Sequence, residues 1–298
     1  MEISYFDRES GRKMEENIYG GWALKFLYGT NFSSRTFGAL LMHAFARIPL
    51  FSWYAGFLQK RAASAKNVEP FIEEYEIDAS EFREKSFASF NDFFIRKLKP
   101  ECRPIVERNL AMPADGRYLV YPNISKADGF FVKGQKFNLT HFLQDPILAR
   151  RYAEGSLVLA RLCPTDYHRF HFPCSGVPSE ARLIRGPLFS VNPIALRKKL
   201  SILWENKRMV TEFETDEFGH VLYVEIGATC VGSIHQTYQP EKRVEKGDEK
   251  GYFSFGGSCL ALLFERGRVT FDDDLVRNSE LMIETKGDFG SSLGRPAR

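Results

Sequence analysis

Two histidines stand three residues apart in the run Asp166-Tyr167-His168-Arg169-Phe170-His171-Phe172-Pro173. Residues at that spacing can share a helix face, but Pro164 and Pro173 flank the run and argue for a loop or a strand end. No third ligand lies at a recognised metal-site interval, so the pair is a poor metal signature and no metal is assigned. Two neighbouring imidazoles suit acid–base work near neutral pH, and they suit a hydrogen-bonded structural pair equally well. An acid, Asp115, sits in the turn Pro113-Ala114-Asp115-Gly116 ahead of a strand-like run. Asp before Gly is ordinary turn chemistry, although an acid there could orient an imidazole. The third feature is Phe253-Ser254-Phe255-Gly256-Gly257-Ser258-Cys259-Leu260, where two glycines and a serine interrupt an apolar run. Gly inside a strand marks a kink or a close backbone approach. It also leaves the carbonyl before Ser258 unhindered.

The elements that must hold these residues read as mostly β. Ser156–Leu162 is an apolar run ended by Pro164, and residues 117–121 follow an Asp-Gly turn. Residues 207–213 and 220–226 flank Thr215-Asp216-Glu217-Phe218-Gly219 as a hairpin. A second hairpin is expected from 252–264 and 268–271, turned at Glu265-Arg266-Gly267. Short helices are expected after Asp145-Pro146 and Asn192-Pro193, with Pro at the first helical position. A longer helix is expected over residues 86–98, with Phe87, Phe90, Phe94 and Leu98 on one face and Pro100 as its stop. The tail Gly290-Ser291-Ser292 onward reads as a frayed terminus. The fold class is therefore α+β: a β-rich catalytic domain over 85–298, preceded by a helical, membrane-facing segment over 1–84.

That first segment has its own charge pattern. Between Asn17 and Lys66 there is no Asp or Glu, while Lys25, Arg35, Arg47, Lys60, Arg61 and Lys66 supply cations among eleven aromatics. Residues 37–58 are long enough to span a bilayer, but Arg47 and Pro49 lie at the centre, and a central Arg costs about 2.5–3.5 kcal/mol there. Two amphipathic helices in the interface of an anionic membrane fit better, and the alternative is packing on the protein's own core or on a second copy. The start of the chain has no apolar stretch of the secretory kind. Residues 67–298 carry 32 cations and 33 acids, which excludes a nucleic-acid binder. Five cysteines without a CxxC pair point to a reducing compartment rather than a disulfide framework.

Taken in order, these pieces resemble the phosphatidylserine decarboxylases, pyruvoyl enzymes that make themselves from a proenzyme. The resemblance runs from Phe90 to Phe271: Asn91-Asp92-Phe93-Phe94 and Arg103-Pro104-Ile105, then Met112-Pro113-Ala114-Asp115-Gly116 and Asp166 to His171. Phe189-Ser190-Val191-Asn192, residues 227–234 and Gly256-Gly257-Ser258 complete it. Cys259 stands where that family usually has Thr or Ser.

The resemblance implies that Ser258 attacks the Gly257 carbonyl, with His171 taking its proton and Asp115 orienting the imidazole as in a serine-protease triad. The chain would divide into residues 1–257 and a 41-residue piece (298 − 258 + 1) whose first residue becomes a pyruvoyl group. That group would form a Schiff base with the amine of phosphatidylserine and take up the electrons released with CO2. His168 would then protonate the substrate carbon. The resemblance further implies a phospholipid substrate, peripheral attachment at the cytoplasmic face and a homodimer. Two other readings use the same residues: a serine hydrolase built on Asp115, His171 and Ser258, though without a G-x-S-x-G elbow, and a non-enzymatic peripheral lipid-binding protein.

Overall fold

The computed structural model describes residues 3–16, 27–28, 38, 41, 46–127, 129–228, 233–256 and 258–297. The strands in chain order begin with β1 (Ser4–Asp7), β2 (Arg12–Glu15), β3 (Leu110–Ala111), β4 (Gly116–Tyr121), β5 (Gly129–Phe130) and β6 (Val132–Lys133). They continue with β7 (Ser156–Leu162), β8 (Arg169–His171), β9 (Gly176–Pro178), β10 (Arg182–Ile184), β11 (Arg208–Thr215) and β12 (Gly219–Gly227). The last are β13 (Ile234–Gln236), β14 (Glu249–Phe253), β15 (Ser258–Phe264), β16 (Val269–Phe271), β17 (Glu284–Gly287) and β18 (Ser292–Pro296). One large sheet runs β10-β11-β12-β15-β7-β4-β17-β1-β2, with β9 also on β11. Two three-stranded sheets, β13-β14-β8 and β16-β18-β3, lie beside it. With its short helices the architecture is α+β.

Strand periodicity explains why the central strands are apolar throughout. Successive side chains alternate between faces, and both faces are covered. Leu157, Leu159, Cys259, Ala261 and Leu263 enter one core; Val158, Ala160, Leu162, Leu260, Leu262 and Phe264 enter the other. Ser258 has the parity of Leu260 and Leu262, so it faces the second core, which also contains Phe170 of β8. A third, aromatic cluster gathers Phe71, Phe82, Phe90, Phe93 and Phe94 around Phe255.

The expected hairpin at Thr215–Gly219 is present as β11–β12, paired from Arg208↔Ile226 to Thr215↔Gly219. The proline-started helices are Pro146–Tyr152, capped by Asp145, and Pro193–Lys198, capped by Asn192. Three expectations are corrected. Residues 252–264 are two strands rather than one: β14 and β15 belong to different sheets, and β16 pairs with β18 instead of turning back on β15. The tail is an ordered strand, because Leu293 is fully buried and the main chain of residues 292–296 pairs with β16 and β3. The helix over 86–98 is only Phe90–Phe94, capped by Ser89.

The first residues also depart from a helical segment. β1 and β2 form a hairpin, and β1 lies parallel to β17 at the end of the large sheet. Tyr5 lies under the Arg117 guanidinium at 4.5 Å, and Glu16 accepts from Arg161 Nη1 at 3.0 Å. Of the acid-free stretch, the structure describes one long helix, Pro49–Lys60, which starts at the proline. Most of residues 17–45 lie outside the described residues, and so does the first of the two expected amphipathic helices. Among the described residues no helix is long and apolar enough to cross a membrane.

Candidate active site

β8 carries the histidines, and β14 holds it in place. Glu249↔His171 and Tyr252↔Arg169 pair across the two strands, and the Phe253 amide donates to the His168 carbonyl at 3.0 Å. β7 ends at Leu162, just ahead of Pro164; there the Cys163 amide donates to Asp166 Oδ2 at 2.7 Å and Arg117 Nη1 donates to Oδ1 at 2.9 Å. The turn so closed sets His168 against its own neighbour: Nδ1 donates to the Asp166 carbonyl at 2.9 Å. A carbonyl only accepts, so Nδ1 carries the hydrogen and Nε2 keeps its lone pair. That Nε2 is buried and has no hydrogen-bond partner among the described residues. The ring packs on Phe94 at 3.9 Å. Burial pushes the imidazole down to about 4, against the Asp166 and Gly256 main-chain groups that pull it up.

His171 is engaged on both nitrogens. Nδ1 donates to the Gly247 carbonyl at 2.9 Å, which leaves Nε2 to accept from the Tyr167 hydroxyl at 3.2 Å. The Phe289 ring stacks on it at 3.7 Å. Burial takes this imidazole to about 4 as well, with the Gly247 carbonyl, Glu249 and Asp115 pulling it up. Both histidines are therefore neutral at pH 7, the protonation state a general base requires.

Asp115 immediately precedes β4 and is buried. Arg103 grips it with a fork, Nε to Oδ1 at 3.0 Å and Nη2 to Oδ2 at 2.7 Å, while Nη1 reaches Glu81 at 2.8 Å. Asp115 Oδ1 also accepts the Phe289 amide at 2.8 Å. Asp115 and His171 thus meet across Phe289: the carboxylate holds its main chain and the imidazole lies on its ring. No direct hydrogen bond joins the two.

Ser258 is the first residue of β15, fixed between Leu162 and Gly227. It is fully buried, and its Oγ has no partner among the described residues. Gly256, two residues earlier, has φ +133°, a conformation only glycine adopts freely. Asn91 Oδ1 accepts the Phe255 amide at 3.1 Å, and the Phe255 ring meets Phe90 and Phe94 edge-on at 5.4 and 5.2 Å. The helix Phe90–Phe94 therefore clamps the segment ahead of Ser258 and backs His168 with the same Phe94. Gly257 lies outside the described residues.

Asp115 and Ser258 stand at one end of the large sheet, since Asp115 precedes β4, whose start pairs with the end of β7, and Ser258 pairs with Leu162 there; β8 joins this end through the His171 amide, which donates to the Pro113 carbonyl at 2.8 Å. Arg103, Tyr167, Phe289 and Asn91 join them without having been assigned a role from the sequence. Asn91, Arg103 and Tyr167 stood within the family-like motifs, whereas Phe289 stands just before the tail read as frayed. Among the described residues no group of three or more His, Cys, Asp or Glu is placed to hold a metal.

The comparisons with known proteins agree in one direction. The profile of a family described as phosphatidylserine decarboxylase matches residues 90–295. A protein of Chlamydia pneumoniae named phosphatidylserine decarboxylase proenzyme is 46% identical over 99% of this chain and 97% of its own length. Proteins of the same name from Chlamydia muridarum (46% identical, 97% of its own length) and Chlamydia felis (44%, 98%) also match 99% of the chain.

Proposed function

The chain belongs to the phosphatidylserine decarboxylase family, and from that premise we propose that it cuts itself at Gly257–Ser258 and decarboxylates phosphatidylserine to phosphatidylethanolamine and CO2. One observation carries the proposal: a fully buried Ser258 Oγ with no partner among the described residues, two residues after the glycine-only kink at Gly256, whose main chain reaches the His168 imidazole. An unsatisfied buried hydroxyl destabilises a fold by about 1–3 kcal/mol, and a nucleophile poised on its own main chain accounts for keeping one.

In the first step a neutral histidine takes the Oγ proton and Oγ attacks the Gly257 carbonyl. The acyl group moves from nitrogen to oxygen and forms an ester. Loss of the Ser258 Cα proton then expels the Gly257 carboxylate, and hydrolysis of the resulting enamine releases ammonia and leaves a pyruvoyl group at position 258. A carbonyl so placed supplies the electron sink that no ordinary side chain offers. Ser258 fits its origin because strand pairs on both sides hold the residue in place.

The resemblance gives His171 the first proton transfer, with Asp115 behind it, and His168 the later protonation of the substrate carbon. Asp115 reaches His171 only through Phe289 and through its field, so its part in the uncut chain is positional. One observation favours exchanging the histidines: His168 has an open Nε2 and feels the Gly256 main chain, whereas Tyr167 and Gly247 occupy both nitrogens of His171.

The acid-free stretch serves as the membrane contact in this proposal. On the helix Pro49–Lys60, Tyr54, Phe57 and Leu58 are exposed, and Lys60, Arg61 and Lys66 are exposed beside them. Aromatics for the headgroup boundary and cations for anionic lipid are the composition of an interfacial helix, which supports peripheral attachment; the cytoplasmic face is part of the same proposal. The hydrolase and binding-protein readings are not favoured, since relatives matched over nearly their whole length carry the decarboxylase proenzyme name. The test is production of phosphatidylethanolamine from vesicles containing phosphatidylserine, with Ser258→Ala as control. The proposal expects product from the wild type and none from an uncut variant. Ester hydrolysis by a single chain, with no phosphatidylethanolamine, would establish the hydrolase instead.

A further inference from the structure

A row of residues crosses the large sheet beside Ser258. Ser258 pairs with Gly227, and the Gly227 amide donates to the Lys207 carbonyl at 2.9 Å. Lys207 immediately precedes Arg208, which pairs with Ile226 on one side and Ile184 on the other, and Arg185 follows Ile184. Residues in register share a face, so Lys207 lies on the face of Ser258. At ~4.8 Å per strand its main chain is ~10 Å from that of Ser258. The residue between them is a glycine, with no side chain to fill the gap.

Other cations gather around this row. Burial and then Arg185 hold Lys207 below its ordinary range. Burial, then Lys60 and Lys207, do the same to His235, whose Nε2 meets Ser254 Oγ at 3.0 Å, four residues ahead of Ser258. Arg185 is exposed. The helix Pro49–Lys60, the segment after β10, the head of β11 and β13 thus bring Lys60, Arg185, Lys207 and His235 to one neighbourhood.

We propose that Lys207, with Arg185 and Lys60 around it, binds the phosphodiester of the lipid headgroup while the serine end of that headgroup reaches position 258. The inference rests on the decarboxylase reading and names a subsite for it. From the serine amine to phosphorus is four bonds, on the order of 5 Å at about 1.5 Å per bond, and a lysine stem of four carbons reaches a similar distance. The two spans together cover the ~10 Å between strands. The chemistry favours the phosphate over the serine carboxylate. A cation paired with the carboxylate would stabilise the ground state, whose charge must move off the carboxylate as neutral CO2 departs, whereas a cation on the phosphate binds ground and transition states alike.

The test uses the self-processed enzyme with soluble glycerophosphoserine. Lys207→Gln should raise KM on the order of tenfold, with kcat falling much less, self-cleavage unchanged and Lys207→Arg recovering most of the loss. Arg185→Gln should act in the same direction. Calorimetric binding of glycerophosphoethanolamine reads the same subsite without turnover. Weakened binding in Lys207→Gln supports the assignment even if the wild type decarboxylates nothing, a result that would sink the decarboxylase reading separately. An unchanged KM together with unchanged binding overturns the subsite. A KM rise confined to phosphatidylserine in anionic vesicles, with none for glycerophosphoserine, overturns it in favour of bulk membrane charge. Inorganic phosphate competing as well as glycerophosphoethanolamine overturns it in favour of a free-anion site.

Discussion

Replacing Lys250 with Met should unfold the protein far more easily, and replacing its partner as well should restore most of the loss. Lys250 and Glu225 are both fully buried, with Nζ 2.6 Å from Oε1. Nζ also donates to Thr211 Oγ1 at 3.0 Å and Gln236 Oε1 at 2.8 Å, so all three ammonium hydrogens are used. Gln236 Nε2 donates to the second Glu225 oxygen at 3.0 Å, and Tyr223 and Tyr238 face the ammonium at 4.9 and 4.8 Å. Burial pushes Glu225 above its ordinary range and Lys250 below, so desolvation outweighs the attraction between them. Such a pair adds little net stability, but breaking it strands one charge at about 3–5 kcal/mol. That is a large share of the roughly 5–15 kcal/mol that holds a domain together. Lys250 also lies at the register shift where β14 pairs with β8, so its loss should slow self-cleavage by loosening the histidine strand. The assay is urea unfolding in a Ser258→Ala background, where one covalent chain unfolds. With m near 3 kcal/mol/M, the single variant should lower the midpoint by about 1.3 M. Lys250→Met with Glu225→Leu should return to within about 2 kcal/mol of the parent, the residue being the unpaired Thr211 and Gln236. A single-variant loss below about 1 kcal/mol, or a cycle with no coupling, would refute the reasoning.

Three further expectations follow from the site and the N-terminal stretch. With His171 as the base, His171→Ala stays one full-length chain while His168→Ala cleaves but does not decarboxylate; gel analysis showing the opposite pattern would exchange their roles. Both imidazoles sit near 4 in the fold, against 6.5 for free histidine, so between those values the unfolded chain binds more protons and stability falls as pH drops. About 3 kcal/mol per histidine should be lost from pH 6.5 to 4, Asp288, lifted to about 6 by burial and Asp115, works in the opposite sense, and His→Gln variants should flatten the profile in acid unfolding. Liposome binding should weaken as salt rises and weaken further without Lys60, Arg61 and Lys66, by about 1 kcal/mol per cation; co-sedimentation indifferent to both would favour packing of the helix on protein.

What could be read from the residues was local. The β11–β12 hairpin is written in a short turn between two alternating runs, and the helix caps in Asp145-Pro146 and Asn192-Pro193. Partners far apart in the chain left no such mark. β16 pairs with β18 because Leu293 is buried under it, yet the stretch around Leu293 reads as a polar tail. β1 finds β17 across almost the whole chain, and a four-residue strand carries too little pattern to announce it. The same limit applies within the site. The histidine run, Asp115 and the Gly-Gly-Ser break were visible as residue types, whereas the Arg103 fork and the Phe289 bridge depend on tertiary placement. The helix around Asn91 was expected for its apolar face, but its grip on the Phe255 amide is a single side-chain contact that spacing cannot reveal.

The central claim is that the chain converts itself, and a denaturing mass measurement of the wild-type protein tests it most directly. The account predicts two chains, one ending at Gly257 and one of 41 residues (298 − 258 + 1) that begins at position 258, has a blocked N-terminus and gains mass with hydroxylamine. An active protein that is a single uncut 298-residue chain, or one cut at Gly290–Ser291, would contradict it.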